Sequence, residues 1–267
     1  LGLSYSNARS MHSVIDTIPA RAKWKSKYLS FPDTPGSKHL VQYRDPIEAI
    51  CSLLGNPAHA QDIDYVPRKV FTNSNKEERI YHEMWTGKWW YTLQQHLPIG
   101  SSIAPVIIST DKTQLTQFSG SKSAYPVYLT LGNIPRAIRR KPSQHACILI
   151  GYLSVDKIIS NKLSKKEKSI RMQRLFHDSM RLILEPLKEA GRTGVEMTGG
   201  DGKIRRIFPV LACYIADYPE QCLITCAKYG TCPKCQCSAE DLSDSTPGEP
   251  RTSNWTNSVI SEALQES

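Results

Sequence analysis

The chain has 267 residues, of which 40% are hydrophobic and 22% charged, with 34 Lys and Arg against 25 Asp and Glu. This composition is typical of a folded globular protein and excludes a mainly disordered one. The net charge of +9 favours polyanionic partners. No apolar run approaches the ~18–20 residues of a membrane-spanning helix, and no signal peptide opens the chain. We therefore expect a nuclear or cytoplasmic protein that does not enter a membrane.

The first hundred residues predict a mixed region of helices and strands. Residues 4–18 have helical spacing, and residues 39–43 predict a short strand. Residues 46–54 predict a helix with Pro46 in its first turn and Gly55 at its end.

An aromatic stripe follows within residues 77–97 and contains Tyr81, Trp85, Trp89, Trp90 and Tyr91. Aromatic side chains at helical spacing usually pack in a core, which is the reading we favour. A base-stacking platform for nucleic acid is the alternative.

Short strands are predicted from Ser101 onward, over residues 103–109, 125–131 and 146–153. The third is almost continuously apolar, which predicts burial on both faces. Residues 165–190 predict a long helix that Gly191 ends and that Pro186 ends or kinks in its final turn. A fourth strand is predicted over residues 207–214, after a glycine-rich turn at residues 199–202.

Two aspartates stand just beyond the ends of these strands. Asp111 follows the first strand and Asp217 follows the fourth. Three strands, a helix and a fourth strand are the opening order of a ribonuclease-H-like α/β fold, in which the first and fourth strands are neighbours. Carboxylates at neighbouring strand ends can hold a divalent metal ion against a phosphodiester. The alternative is that both aspartates cap strand ends or turns.

The eight cysteines fall into two groups. Cys51, Cys147 and Cys213 stand alone in apolar segments, where a free thiol usually behaves as a small buried side chain. The other five are crowded together: Cys222, Cys226, Cys232, Cys235 and Cys237. The Cys-x-x-Cys spacing of Cys232 and Cys235 predicts a zinc knuckle. Cys226 is the third candidate ligand, with Cys222, Cys237 or a distant His as the fourth. Free thiols are the alternative.

Basic residues occur both before and after the third predicted strand along the chain. The candidates for contact with DNA phosphates are Lys112, Arg136, Arg139, Arg140, Lys141, Lys165 and Lys166. Such runs also occur simply as solvated faces.

Several longer segments closely resemble one family, the Plavaka transposases of fungal genomes. The most specific are Ser109-Thr110-Asp111-Lys112-Thr113-Gln114-Leu115-Thr116, Asp217-Tyr218-Pro219-Glu220-Gln221 and Cys232-Pro233-Lys234-Cys235. Further matching segments are residues 1–7, 81–90, 122–130, 132–135, 138–143 and 200–202.

The resemblance implies a cut-and-paste DNA transposase similar to the CACTA type, with an acidic triad on a ribonuclease-H-like core. It implies that Asp111 and Asp217 are the first two acids and hold Mg²⁺ or Mn²⁺, with Asp201 as the runner-up. DNA is the implied partner. Whether the chain forms a homo-oligomer stays open.

A third acid is expected from a later helix, and the available glutamates follow no recognisable motif: Glu240, Glu249, Glu262 and Glu266. Because the chain also begins at Leu1 rather than Met, we expect a fragment with an incomplete active site. The alternatives are a non-catalytic, zinc-stabilised DNA-binding module and an inactive transposon remnant.

The predicted organisation has four parts. A mixed N-terminal region covers residues 1–100, and a partial ribonuclease-H-like core covers residues 101–221. A zinc-binding segment covers residues 222–238, and a loose tail covers residues 239–267.

Overall fold

The structure is a computed structural model that describes residues 7–11, 22–116, 122–158, 163–243 and 245–265. The chain divides into two compact units, residues 1–215 and 216–267. The helix predicted over residues 4–18 lies mostly outside the described residues, although residues 8–11 are helical. No helix among the described residues combines the length and the apolar composition that crossing a bilayer requires.

The first unit is a mixed α/β structure. Its strands are β1 Lys25–Phe31, β2 Thr34–Tyr43, β3 Val70–Phe71, β4 Arg79–Ile80, β5 Ser102–Thr110, β6 Thr113–Gln114, β7 Ser123–Ala124, β8 Pro126–Leu131, β9 Cys147–Tyr152, β10 Val195–Thr198 and β11 Ile204–Ile215. Its helices are α1 Pro46–Leu54, α2 Lys88–Gln94, α3 Arg136–Arg139 and α4 Lys165–Thr193. The predicted bounds of α1 are confirmed.

Seven strands form one sheet in the order β1-β2-β9-β8-β5-β11-β10, and β3–β4 and β6–β7 form separate two-stranded ribbons. β5 pairs with β8 antiparallel and with β11 parallel. The parallel register runs from Ser102 opposite Ile207 to Ser109 opposite Ile215. The prediction that the first and fourth strands of the series are neighbours is therefore confirmed.

The N-terminal region contributes to this same sheet. β1 and β2 form an antiparallel hairpin, and Gln42 of β2 pairs with Tyr152 of β9. Strand β1 was not predicted, although Lys-Ser-Lys-Tyr-Leu-Ser-Phe contains a partial alternation of polar and apolar residues. The predicted division at residue 100 thus runs through one compact unit.

Helices α1 and α4 pack on one face of the sheet. α1 contacts β8, β9 and β10, while α4 contacts α1, β1 and β11. Gly151 of β9 faces α4, because a Cβ atom on Gly151 would lie 2.8 Å from Cδ1 of the buried Ile183. Capping reinforces the start of α4, where Ser164 accepts a hydrogen bond from the Glu167 amide and Glu167 accepts one from the Ser164 amide.

The opposite face is covered near the start of β5. Trp85 and the fully buried Trp90 pack against Ile103 there. The core interpretation of the aromatic stripe is therefore confirmed for these two residues, whereas Tyr81 and Trp89 are exposed.

Helix α4 is longer than predicted. It continues past Pro186 and Gly191 to Thr193, and Gly194 ends it with a φ of 71°. Gly191 has a different role, because a Cβ atom there would lie 2.9 Å from the carbonyl oxygen of Pro209. The glycine lets the last turns of α4 approach the backbone of β11 closely.

The prediction that β9 is buried on both faces is wrong. Ile150 and Gly151 are buried, but Cys147 and Tyr152 at its two ends are exposed. Cys213 on β11 is also exposed and Cys51 is half-buried, so the expected burial of the isolated cysteines is wrong as well. A run of apolar residues does not reveal that one face of a strand remains open to solvent.

Asp201 belongs to the turn between β10 and β11. Its two carboxylate oxygens accept hydrogen bonds from the Arg205 guanidinium at 2.8 and 2.7 Å. The guanidinium carbon also lies 3.8 Å from the ring centroid of Tyr65. These hydrogen bonds hold the pKa of Asp201 well below its usual range. The contacts assign Asp201 a structural role in the turn.

The second unit contains α5 Tyr218–Ile224 and α6 Ser253–Gln265. Helix α6 forms within the segment for which we predicted a loose tail. Residues 249–251 are also ordered by the cysteine-rich segment, since Cys235 forms a β-bridge with Pro250.

The substitution Gly191→Ala should destabilise the fold. Overpacking costs about 1–3 kcal/mol, whereas alanine in a helix gains up to about 1 kcal/mol over glycine. We expect a net loss of about 1 kcal/mol in the free energy of unfolding, measured by urea denaturation. Gly36→Ala is the matched control, because a Cβ atom there would meet nothing within 4 Å. A Gly191→Ala variant at least as stable as the wild type would contradict the packing argument.

The Asp201–Arg205 pair predicts a defined dependence of stability on pH. Because the pKa of Asp201 is lower in the folded state than the unfolded value of about 3.9, the pair stabilises the fold above that pH. The contribution is lost as the pH falls further. The difference in free energy of unfolding between wild type and Asp201→Asn should therefore be largest near neutral pH and shrink below about pH 4. Chemical denaturation across this range measures it, with the exposed Asp62→Asn as control. A difference that does not change with pH would show that the carboxylate charge is irrelevant.

Candidate functional site

The carboxyl ends of β5 and β11 lie at the same edge of the sheet, as their parallel register requires. A hydrogen bond of 2.9 Å between the hydroxyl groups of Thr110 and Tyr214 joins the two strands there. Asp111 directly follows Thr110 and is exposed. Its carboxylate accepts a hydrogen bond from the Thr113 hydroxyl at 3.4 Å. An exposed carboxylate therefore stands at the end of the central strand.

Asp217 lies two residues after Ile215 along the chain and belongs to the second unit. It is exposed and is the N-cap of α5, where its carboxylate accepts a hydrogen bond from the Glu220 amide at 3.0 Å. The capping alternative is thus realised for Asp217. Capping engages one carboxylate oxygen with a neutral amide donor, so it does not neutralise the negative charge of Asp217.

The seven candidate DNA-contact residues differ in exposure. Arg139 is largely buried, lies 3.6 Å from the Glu83 carboxylate and donates a hydrogen bond to the Ile134 carbonyl. Burial lowers the pKa of Arg139, although the nearby Glu83 partly opposes this effect. Arg139 therefore stabilises the loop after β8. The other six are exposed: Lys112, Arg136, Arg140, Lys141, Lys165 and Lys166.

The cysteine-rich segment forms a turn around Cys232. Its sulfur accepts hydrogen bonds from the amides of Lys234 and Cys235, both at 3.4 Å. These amide donors lower the pKa of the Cys232 thiol, and thiolate is the form that binds metal. Cys222 is buried, Cys226 is exposed, and Cys235 and Cys237 are half-buried. Among the described residues, no group of three or more Cys, His, Asp or Glu side chains is arranged to hold a metal ion.

Arg251 organises this turn and was missed from the sequence. Its side chain donates hydrogen bonds to the carbonyl oxygens of Cys232 and Cys235 at 2.9 and 2.8 Å. Its guanidinium carbon lies 4.9 Å from the ring centroid of Trp255. Arg251 lies far from Cys232 and Cys235 along the chain, so no local sequence pattern indicates this contact.

The remaining acidic candidates are dispersed. Glu240, Glu249 and Glu262 are exposed, and Glu266 lies outside the described residues. Among the described residues of the second unit, the buried acid is instead Glu220, one turn after Asp217.

The sequence as a whole matches a known protein family. The family model described as Plavaka transposase matches residues 5–267. A search of curated proteins found no match. The match covers essentially the whole chain, and the chain therefore belongs to the Plavaka transposase family.

Proposed function

We propose that this protein acts in metal-dependent cleavage and transfer of DNA strands, with Asp111 and Asp217 as the metal-binding acids. The observation that carries the proposal is the parallel pairing of β5 with β11, in which Ser109 lies opposite Ile215. Each aspartate follows its strand residue by two positions along the chain. The family's name supports transposition as the process.

The sheet is proposed to be a ribonuclease-H-like core. The order β9-β8-β5-β11, with β8 antiparallel to both β9 and β5, supports this assignment. So does α4, which follows the antiparallel strands along the chain and precedes β11, with the short strand β10 between them. We propose the nucleus, where chromosomal DNA lies, as the site of action.

The two carboxylates suit Mg²⁺ or Mn²⁺. Both are exposed, and both offer the hard oxygen ligands that these ions prefer. Mg²⁺ is commonly held by one or two carboxylates together with substrate phosphates and water, so two protein acids can contribute to a site whose expected third acid stays unassigned. When bound, such an ion would activate a nucleophilic oxygen and stabilise charge on the phosphodiester.

The exposed cations are proposed to position the DNA backbone. Arg136, Arg140 and Lys141 belong to the segment after β8, while Lys165 and Lys166 open helix α4. Lys112 directly follows Asp111. Phosphate contacts of this kind fix the register of DNA without reading its sequence.

A zinc-stabilised DNA-binding module is the second candidate function. The amide hydrogen bonds to the Cys232 sulfur favour it, because they stabilise a thiolate in a Cys-x-x-Cys turn. The N-cap role of Asp217 gives that residue a use that does not involve a metal ion. In this reading Cys232 and Cys235 bind zinc, with ligands added from Cys222, Cys226 and Cys237.

Removal of either carboxylate charge should abolish DNA nicking that depends on Mg²⁺ or Mn²⁺. We expect Asp111→Asn and Asp217→Asn each to lower the nicking rate at least ~100-fold, since a catalytic metal supplies several kcal/mol of transition-state stabilisation. Asparagine caps helices as well as aspartate does, so Asp217→Asn preserves α5. Asp201→Asn is the control that should still cleave. Nicking that survives both substitutions would remove the two aspartates from the mechanism, and DNA binding without cleavage would favour the module.

Zinc content tests the cysteine assignment separately. We expect about one zinc ion per wild-type chain after dialysis, measured by mass spectrometry, and almost none in Cys232→Ser or Cys235→Ser. Cys147→Ser, on strand β9, should retain the zinc. Wild-type protein without zinc, or equal zinc in all four proteins, would rule out the proposed ligands.

A further inference from the structure

One face of the large sheet carries exposed aromatic side chains on the strands nearest β1. Trp24, Tyr28, Tyr128 and Tyr152 are 42%, 60%, 38% and 36% exposed. We call these four residues the aromatic face. They come from three separate segments of the chain, so no local pattern reveals the whole group.

Strand register brings these residues to the same side. Tyr28 pairs with Leu40, which precedes Gln42 by two positions, and Gln42 pairs with Tyr152. Tyr152 also pairs with Pro126, two positions before Tyr128. Because side chains alternate between faces, these positions share one face. The intervening Gly151 points to the other face, toward Ile183 of α4.

The aromatic face is preorganised at its edge. The rings of Trp24 and Tyr152 stack with a centroid distance of 5.9 Å and an interplanar angle of 19°. The guanidinium carbon of Arg44 lies 4.4 Å from the Trp24 ring centroid. Stacked rings that remain partly exposed offer a flat surface to a further ring.

A cleft of about 470 Å³ adjoins Tyr152. Leu40, Gln42 and Leu115 line it together with Leu153, and Asp156 lies at its wall. Its apolar side chains can pack against the faces of a planar heterocycle, and the Gln42 amide can form hydrogen bonds with the polar edge of such a ring.

The segment that carries Trp24 and Tyr28 is mainly positive, while Asp45 pairs with Lys25 and Asp156 lies at the wall of the cleft. Residues 22–44 contain four lysines and one arginine against a single aspartate, Asp33, which forms an ion pair with Arg171. Lys25 lies 3.5 Å from the carboxylate of Asp45. Lys38 is exposed and precedes Leu40 by two positions on the same face as Tyr28.

We propose that the aromatic face binds unpaired bases of single-stranded DNA. Bases would stack beside the Trp24–Tyr152 pair, and Arg44 and Lys38 would contact phosphates, a combination typical of single-strand binding. A base inside a duplex is already stacked and cannot offer its face in this way. The inference rests on the proposed function, since cutting a DNA strand produces an end whose bases can unpair from their complements. Tyr128 pairs with Ser109 of β5, and Ser109 precedes Asp111 by two residues. The aromatic face therefore extends to the strand that ends at Asp111.

Fluorescence anisotropy with a labelled oligothymidylate and a duplex of equal length tests the proposal. The measurement is made in EDTA, so that binding is read without cleavage. We expect tighter binding of the single strand by the wild type and an approximately tenfold or greater loss in Trp24→Leu and in Tyr152→Leu. Trp24→Phe, which keeps a stacking ring, should recover most of the affinity. Trp89→Leu is the matched control, because Trp89 is 43% exposed outside the aromatic face.

Unchanged affinity in Trp24→Leu and Tyr152→Leu, with folding verified by circular dichroism, would overturn the inference. So would an equal loss in Trp89→Leu or equal binding of the duplex. The nicking assay with Asp111→Asn separates the two proposals. If the wild type nicks DNA but Trp24→Leu and Tyr152→Leu bind single strands normally, only this inference is overturned. If these two variants lose binding but the wild type does not nick DNA, only the proposed cleavage function is overturned.

Discussion

The parallel pairing of β5 with β11 is the constraint on which the rest of the first unit depends. Parallel neighbours cannot be joined by a tight turn and need a long crossover, which here includes α4. The crossover packs closely because Gly191 presents no side chain to the carbonyl of Pro209. As a result, the carboxyl ends of two strands far apart in sequence meet at one edge, joined by the Thr110–Tyr214 hydrogen bond.

The aspartates of this protein illustrate the difference between a structural acid and a candidate metal ligand. Asp201 engages both oxygens with one guanidinium, so its charge is already neutralised and its lone pairs are directed inward to Arg205. Asp111 is exposed and accepts a weaker hydroxyl contact from Thr113. A divalent ion competes easily with a hydroxyl but poorly with a bidentate guanidinium.

Much of the first unit could be predicted from sequence because its signals are local. Apolar runs marked β5, β8 and β11, while Pro46 and Gly55 marked both ends of α1. The errors came from features without a local signal. The end of α4 was wrong because Gly191 serves a contact with β11 rather than a helix stop. The role of Arg139 was missed because Glu83 is distant in sequence. Exposure of Cys147 and Tyr152 depends on which face of the sheet the helices cover, which alternation within one strand cannot reveal.

The second unit raises a different question, namely what stabilises it. It has about fifty residues, and its buried side chains among the described positions are Glu220 and Cys222. A core this small contributes little hydrophobic stabilisation, and domains of this size usually require a metal ion or another cross-link. Hydrogen bonds from Arg251 order the cysteine turn. Because they replace hydrogen bonds that the same groups make with water in the unfolded chain, their net contribution to the free energy of unfolding is modest. Zinc bound as proposed would couple metal affinity to folding, because the cysteines would have to come together to bind it. This physical requirement is a stronger reason to propose zinc than the Cys-x-x-Cys spacing alone.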